Sequence, residues 1–375
     1  MTLQAKGVSR TVALARPVSW VRGVLWITAL VGAAAILMRL GLGLGRTTNL
    51  SDGRAWGLWI GFDLTAIALA GAGFTMGAVV KVFHRRRFAP LFRVAILAAL
   101  IGYLSAATFV FLDLGLPWRI WHPILYQNLH SPLFEVSVCV MLYTTVLFLE
   151  FAEIVAEGRG WHRVHRWLSR VIIGVVIAGI VLSTMHQSSL GTTYVLPDWR
   201  LSPLWKTSWL PLLFFLTAVA GGLSLVIVLG NLIAGVYGRH VDQGMLAGLG
   251  EYAGWVLLVY AVLRLWTFVG AGGVRALGEN GVLTFLFLLE IGGGVVFPLV
   301  VYLREDLRRR PSALRWAALA VVLGVVLYRF NVTWFGLAGW PYAPSWNEWA
   351  CTFGIMAGGA LFFDFALRYL PIYER

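Results

Sequence analysis

Charge, cysteine and histidine are all scarce in this sequence, and each scarcity closes off a class of function. Charged residues are 13% of the 375, against 59% hydrophobic, and mean hydropathy is +0.79. A water-soluble domain does not carry that balance; a helical protein embedded in a membrane does. The two cysteines, Cys139 and Cys351, fall in apolar runs with no metal-ligand spacing, so they read as core residues. Of seven histidines only His186 belongs to an apolar run, at its end, so paired axial ligands for a transmembrane haem are missing. No CxxCH, CxxC or HExxH occurs, and the glycine clusters lie inside apolar runs rather than in phosphate loops. Neither haem nor metal is expected.

Acidic residues are also few, 17 against 30 Lys and Arg, leaving a net charge of +13. In a soluble chain that excess would suggest nucleic acid. Here its distribution reports membrane orientation instead, and no nucleic-acid partner is expected.

Runs of about 20 apolar residues are candidate spans. Ten occur, at 20–42, 56–80, 91–113, 132–155, 167–186, 209–234, 246–271, 281–303, 314–330 and 347–369, the ninth being the shortest. The basic N-terminus followed by an apolar run has the look of a signal peptide, but the run continues to about Gly41, which predicts an uncleaved first helix. With the N-terminus cytoplasmic, inner loops and termini hold 21 of the 30 Lys and Arg, and outer loops hold 6. That asymmetry predicts ten helices with both termini cytoplasmic. The fold class is therefore all-α: one polytopic membrane domain over residues 1–375, without a soluble domain. Catalytic apparatus served by such a chain resides in other chains. The outer segments 114–131, 187–208 and 331–346 are rich in Trp and Pro, suited either to an interfacial aromatic belt or to docking a partner.

Ionisable groups inside spans carry the functional signal. Asp63 lies in the second run, where a carboxylate costs about 2.5–3.5 kcal/mol on insertion scales, so a buried partner or proton handling is expected. Gly57, Gly61, Gly71, Gly73 and Gly77 leave one side of that helix nearly bare, open to another helix or a flat ligand. Glu135 lies in the first turn of the fourth helix after His130, Ser131 and Pro132, where the helix dipole favours a carboxylate. His186 closes the fifth helix at the same level, and Arg39, Arg264 and Arg329 lie in the outer halves of theirs. Further inward come Glu290, Glu150, Glu153, Glu251 and Asp364. Glu135 and Glu153 share one face along about 27 Å of helix. Two readings stay open: a ladder of proton-carrying groups, or, for Glu150, Glu153, Glu251 and Asp364, ion pairing with inner arginines at the interface.

The run TTNLSDGRAWGLWIGFD (47–63), with Gly71 and Gly73, the segment HSPLFEVSVCVMLYTTVLFLEF (130–151) and MHQSSLG (185–191) resemble the NrfD/polysulfide-reductase membrane-subunit family. Within it they are most similar to the HybB-type subunits of periplasmic nickel–iron hydrogenases. The resemblance covers about residues 20 to 370. It implies two four-helix bundles with extra helices, a haem-free quinone-reactive anchor in a bacterial inner membrane, and menaquinone or ubiquinone as cofactor. The implied partners are a periplasmic, ferredoxin-like iron–sulfur subunit and the catalytic subunits of the complex. Carried onto this sequence, Glu135 matches the family's proton-handling glutamate, and Asp63 becomes a quinone-site or proton-path residue. His186, His130, Trp59, Arg46 and Arg264 are the candidate donors to a quinone. A different class remains as the alternative: a proton- or ion-coupled secondary transporter, whose site belongs at the midplane on interrupted helices.

Overall fold

A computed structural model describes residues 17–196, 200–339 and 341–373. Ten helices among them are long and apolar enough to cross a membrane. They are α1 (Pro17–Leu42), α2 (Leu58–Val82), α3 (Arg86–Asp113), α4 (Pro132–Gly158), α5 (His162–Val195), α6 (Leu210–Tyr237), α7 (Gln243–Gly270), α8 (Gly281–Leu303), α9 (Pro311–Phe335) and α10 (Trp346–Tyr369). No strand forms among the described residues; Ser51–Arg54 and Leu201–Leu337 are isolated bridges. Lys6, Arg10, Arg16 and Arg375, counted above on the basic side, lie outside the described residues.

Capping chemistry sets several of the boundaries. Ser345 and Glu348 form a capping box that opens α10. Asn280 caps α8 and Asp242 caps α7 through side-chain oxygens. Gly238, in the left-handed region at φ +62°, stops α6. The ninth span reaches 25 residues because the helix runs on through a wide turn at Asn331–Phe335. A second five-residue wide turn, Gly292–Val296, interrupts α8 at mid-length.

Helices α2–α5 pack into one group and α6–α9 into another, with α2 and α6 as the seam, while α1 and α10 pair on the flank. The two bundles implied by the resemblance are therefore present. Helix α2 is the most enclosed span. Its glycines do not share one bare side. At 100° per residue, Gly57, Gly61 and Gly71 point one way and Gly73 and Gly77 the other. All five are filled by protein: Gly57 by the Tyr342 ring, Gly61 by Phe330, Gly71 by the Ala218 carbonyl, Gly73 by Ala99 and Gly77 by Val176. They are helix-packing positions, not a ligand slot. At the seam, a Cβ on Gly222 would come 2.4 Å from the Ala72 nitrogen. Since backbone cannot yield as a side chain can, Gly222→Val is expected to cost about 3 kcal/mol or more. A fall in the amount of folded chain recovered, and in its thermal midpoint in detergent, is the measure.

The two ends of the molecule differ. At the basic end Asp364 accepts from Arg22 (3.0 Å), Arg368 (2.8 Å) and Tyr237 (2.8 Å). There Glu251 pairs with Arg308 (3.0 Å), Glu157 with Arg93 (2.6 Å), and Glu153 lies 3.4 Å from His165. For Glu251 and Asp364 the structure thus decides between the two open readings, in favour of pairing with arginines. Glu150 alone of the inward set on α4 is buried without an ion pair within 4 Å among the described residues. At the opposite, aromatic end the loops interlock. Arg54 donates to the carbonyls of Leu337 (2.6 Å) and Trp334 (2.8 Å). Ser345 Oγ donates to the Thr47 carbonyl (2.6 Å), and Ala338 N–H to the Arg200 carbonyl (2.7 Å). Tyr342 accepts from the first α2 amide, Leu58 N (3.1 Å), and donates to Glu348. Burial and then the Glu348 carboxylate push the Tyr342 phenol above its usual range, so it stays a donor.

Candidate functional site

The first cluster sits inside the α2–α5 bundle, towards the aromatic end. His186 is fully buried on α5, well inside the helix rather than at its end. The helix continues to Val195 because the polar residues after His186 return their hydroxyls to the preceding turn. Ser189 donates to the Met185 carbonyl (2.8 Å), Thr192 to Ser188 (3.1 Å) and Thr193 to Ser189 (3.0 Å). His186 Nδ1 is 2.9 Å from the Tyr103 hydroxyl of α3, and its Nε2 has no partner. The Tyr103 ring packs edge-on against Tyr143 of α4, centroids 4.6 Å apart. Gln187 donates to the Ile67 carbonyl of α2 (2.8 Å) and leaves its Oε1 unpartnered. Asp63 on α2 is buried, with an unpartnered Oδ1, and lies in electrostatic range of Tyr103, Tyr194 and Asp113. Four helices thus converge on one tyrosine, and the carboxylate and the imidazole on either side each keep a free hydrogen-bonding atom.

A second cluster lies in the α6–α9 bundle. Glu290 of α8 accepts through Oε2 from Trp205 Nε1 (2.8 Å) and Asn331 Nδ2 (2.6 Å), and its Oε1 is free. Arg264 and Arg329 are its electrostatic partners. Arg264 donates to the Leu204 carbonyl (2.7 Å) and lies over the Phe287 ring. Arg329 donates to the Phe214 carbonyl (2.9 Å) and stacks 3.6 Å above that residue's ring. Two of the three wide turns among the described residues serve this centre: one begins just after Glu290, the other at Asn331, while the third, Ala78–Val82, ends α2. A cavity of about 10 Å³ beside Glu290, Tyr260 and Tyr328 is at the lower limit for a single water.

The remaining candidates lie apart from these clusters. Glu135 is half-buried in the first turn of α4. A surface-open cavity of about 370 Å³ at the same end of α4 is lined by His122, Tyr126, Asn128, Ser131, Leu133, Phe134 and Ser137, but not by Glu135, which projects from the other side of the helix. His130 is exposed, its backbone N–H bonded to Asn128, and Arg46 is exposed. Trp59 is buried and donates to the Glu348 carbonyl (3.3 Å), bracing α2 against α10. Arg264 belongs to the second bundle. The structure therefore bonds His186 to Tyr103, sets Asp63 within electrostatic range of that tyrosine without a direct bond to it, and separates Arg264, Trp59, Arg46 and His130 from them. Sequence reading missed Tyr103, Trp205 and Asn331, whose partners are distant in the chain. The one signal in the sequence was the GGG run after Glu290, which marks a disturbed helix. Among the described residues one trio, Glu153, Glu157 and His165, offers three potential ligand atoms within 4.8 Å of one another. Arg93 already neutralises Glu157 there.

Residues 46–338 match the model of the polysulphide reductase family NrfD. The chain belongs to the NrfD family. The resemblance read from the motifs is thus confirmed, and the chain is a multi-pass integral membrane protein of that family. It is 33% identical over 352 residues to the probable Ni/Fe-hydrogenase 2 b-type cytochrome subunit of Escherichia coli, covering 90% of this chain and 88% of the relative. It is 29% identical over 377 residues to the menaquinone reductase integral membrane subunit of Nitratidesulfovibrio vulgaris, covering 92% and 89%. A selenate reductase subunit of Mesobacillus selenatarsenatis is 23% identical over 410 residues, with 94% of each chain covered. NrfD-family chains named for different substrates thus align along nearly their whole length with this one. All three relatives are named as subunits.

Proposed function

We propose that this chain is the quinone-reactive membrane subunit of a respiratory oxidoreductase, with a nickel–iron hydrogenase as the catalytic partner. The reading places the aromatic end outside the bacterial inner membrane, against a periplasmic iron–sulfur subunit, and both termini in the cytoplasm. Support for the partner comes from the relative named as a hydrogenase subunit, and for the cofactor from the one named menaquinone reductase. The exposed side chains of Trp118, Trp121 and Tyr126 suit the docking face.

The observation that carries the reading is the pairing of Asp63 and His186 around Tyr103, buried yet each with an unused hydrogen-bonding atom. A buried polar atom that no protein group satisfies is costly, so such atoms mark places where a water, a ligand or a transferable proton is accommodated. The reading assigns the quinone ring to the surface-open cavity at the outer end of α4, whose volume is within the range of small-molecule sites and whose walls mix rings with polar side chains. Leu133, Phe134 and Tyr126 would hold the ring; His122, Asn128, Ser131 and Ser137 supply polar groups around it. Menaquinone or ubiquinone bound there supplies acceptance of two electrons and two protons. Glu135 lies in the same helix turn though off the cavity wall, and it is the carboxylate to which this reading assigns proton exchange near the quinone. The deeper Asp63–Tyr103–His186 set holds protons behind it, and Glu290 in the second bundle is the group available for translocation.

Glu135→Gln in the intact complex is the test. Electron transfer to quinone is expected to fall at least about a hundredfold, while partner activity with an artificial dye is kept. Unimpaired quinone reduction by this variant would sink the assignment. The transporter reading draws on the interrupted α8 next to Glu290. It requires substrate-dependent flux by the purified chain alone in liposomes.

A further inference from the structure

A cavity larger than those at the outer end of α4 and beside Glu290 lies at the basic end, far from both buried clusters. It measures about 1360 Å³ and is formed where the α2–α3 turn, the α6–α7 turn and the end of α10 meet. Lys81, Arg87, Arg93, Arg239 and Arg368 line it, with Asp242 as the carboxylate among the lining residues. The Asp242 carboxylate is taken up in capping α7, donated to by Gly244 N at 2.8 Å. Lys81 and Arg87 lie over the rings of Phe92 (5.5 Å) and Phe88 (4.5 Å), and neither has an ion-pair partner within 4 Å among the described residues. Arg368 spends its Nε on Asp364, while its Nη2 is buried without a partner. The rest of the wall is apolar or aromatic: Val80, Phe92, Leu367, Tyr369 and Ile372.

We infer that this cavity binds the headgroup of an anionic phospholipid. Three features specify that ligand. Arg93 and Arg368 are paired with Glu157 and Asp364, and Arg239 donates to the carbonyls of Leu367 and Tyr373. The excess positive charge therefore rests on Lys81 and Arg87 and favours a dianionic or monoanionic oxygen-rich group over a neutral or basic one. The volume is many times that of a lone phosphate. The apolar walls lie at the level where spans leave the hydrocarbon, so a headgroup in the cavity keeps its acyl chains in the bilayer. Basic pockets between transmembrane helices bind lipid headgroups on this physical basis. The site clamps three connections at once, tying α2–α3 to α6–α7 and to the C-terminal segment, which links the two bundles at the end opposite the quinone cavity.

Native mass spectrometry of the delipidated full chain in neutral detergent tests this. The probes are phosphatidylglycerol and phosphatidylcholine of the same acyl chains, with inorganic phosphate as competitor. One phosphatidylglycerol should bind at least about tenfold more tightly than phosphatidylcholine, and millimolar phosphate should not displace it. Lys81→Gln/Arg87→Gln should weaken that binding about tenfold. Arg85→Gln/Arg86→Gln removes two charges from the same turn outside the cavity and should change it less than about threefold. Equal losses in both double variants, equal affinity for the two lipids, or displacement by phosphate would each overturn the site. Should the cavity variant fail to fold, the native chain is cross-linked with a photoactivatable phosphatidylglycerol. Adducts in 237–245 or 367–373 support the site, and adducts confined elsewhere refute it.

Discussion

Asp63→Asn is expected to reduce quinone-linked electron transfer by the complex at least about a hundredfold, with dye-linked partner activity unchanged. The amide has nearly the volume of the carboxyl, so the packing of α2 against its neighbours survives. What disappears is exchange of a proton at Oδ1, the atom that no protein donor satisfies. Tyr103→Phe should give an intermediate loss, because it cuts the 2.9 Å link to His186 while leaving both titrating groups in place. Steady-state rates with a soluble quinone analogue and with a dye, measured on the same preparation, separate these effects. An Asp63→Asn complex that reduces quinone at wild-type rate would make the carboxylate a packing element and remove the main support for the functional reading.

Glu290→Leu carries a large expected loss of stability. It leaves Arg264 and Arg329 buried with no counter-charge, and removes the acceptor used by Trp205 and Asn331. The arginines are electrostatic neighbours of Glu290 rather than ion pairs within 4 Å, so with the two lost hydrogen bonds a loss of about 3 kcal/mol is expected. Glu290→Gln keeps an acceptor for both donors but not the charge, so a smaller loss is expected. Glu290→Leu/Arg264→Leu should lose less than the two single changes summed, since it also removes one uncompensated cation. Thermal unfolding of the purified protein in detergent reads all four variants. Strict additivity in that cycle would show that Arg264 and Glu290 do not depend on each other.

Much of the architecture was legible because membrane spans are set by local quantities. About twenty apolar residues must satisfy their own backbone hydrogen bonds in hydrocarbon, so hydropathy and length define each helix without reference to its neighbours. The fifth run misled for the same reason. The nine residues that follow it, 187–195, are more polar than the run, yet Ser and Thr hydroxyls satisfied within the helix let it continue to Val195. That extension moved His186 from a helix end to a buried position. Glycine spacing along α2 showed that neighbours come close, but not that the neighbours are helices and rings of this same chain.

The sequence by itself determined ten spans, their alternation between a basic and an aromatic end, the family, and the few polar residues inside hydrocarbon that needed an explanation. Tertiary structure decided which of those residues meet. Asp63 and His186 come together only because α2, α3 and α5 pack around Tyr103, and Arg264 is assigned to Glu290 only because α7, α8 and α9 form a separate bundle. It also decided that Glu251 and Asp364 are neutralised by arginines while Glu290 and Asp63 keep a free oxygen. The division has a physical cause. Insertion into a membrane is governed by each segment's own solvation, whereas the state of a buried charge depends on partners that arrive from elsewhere in the chain.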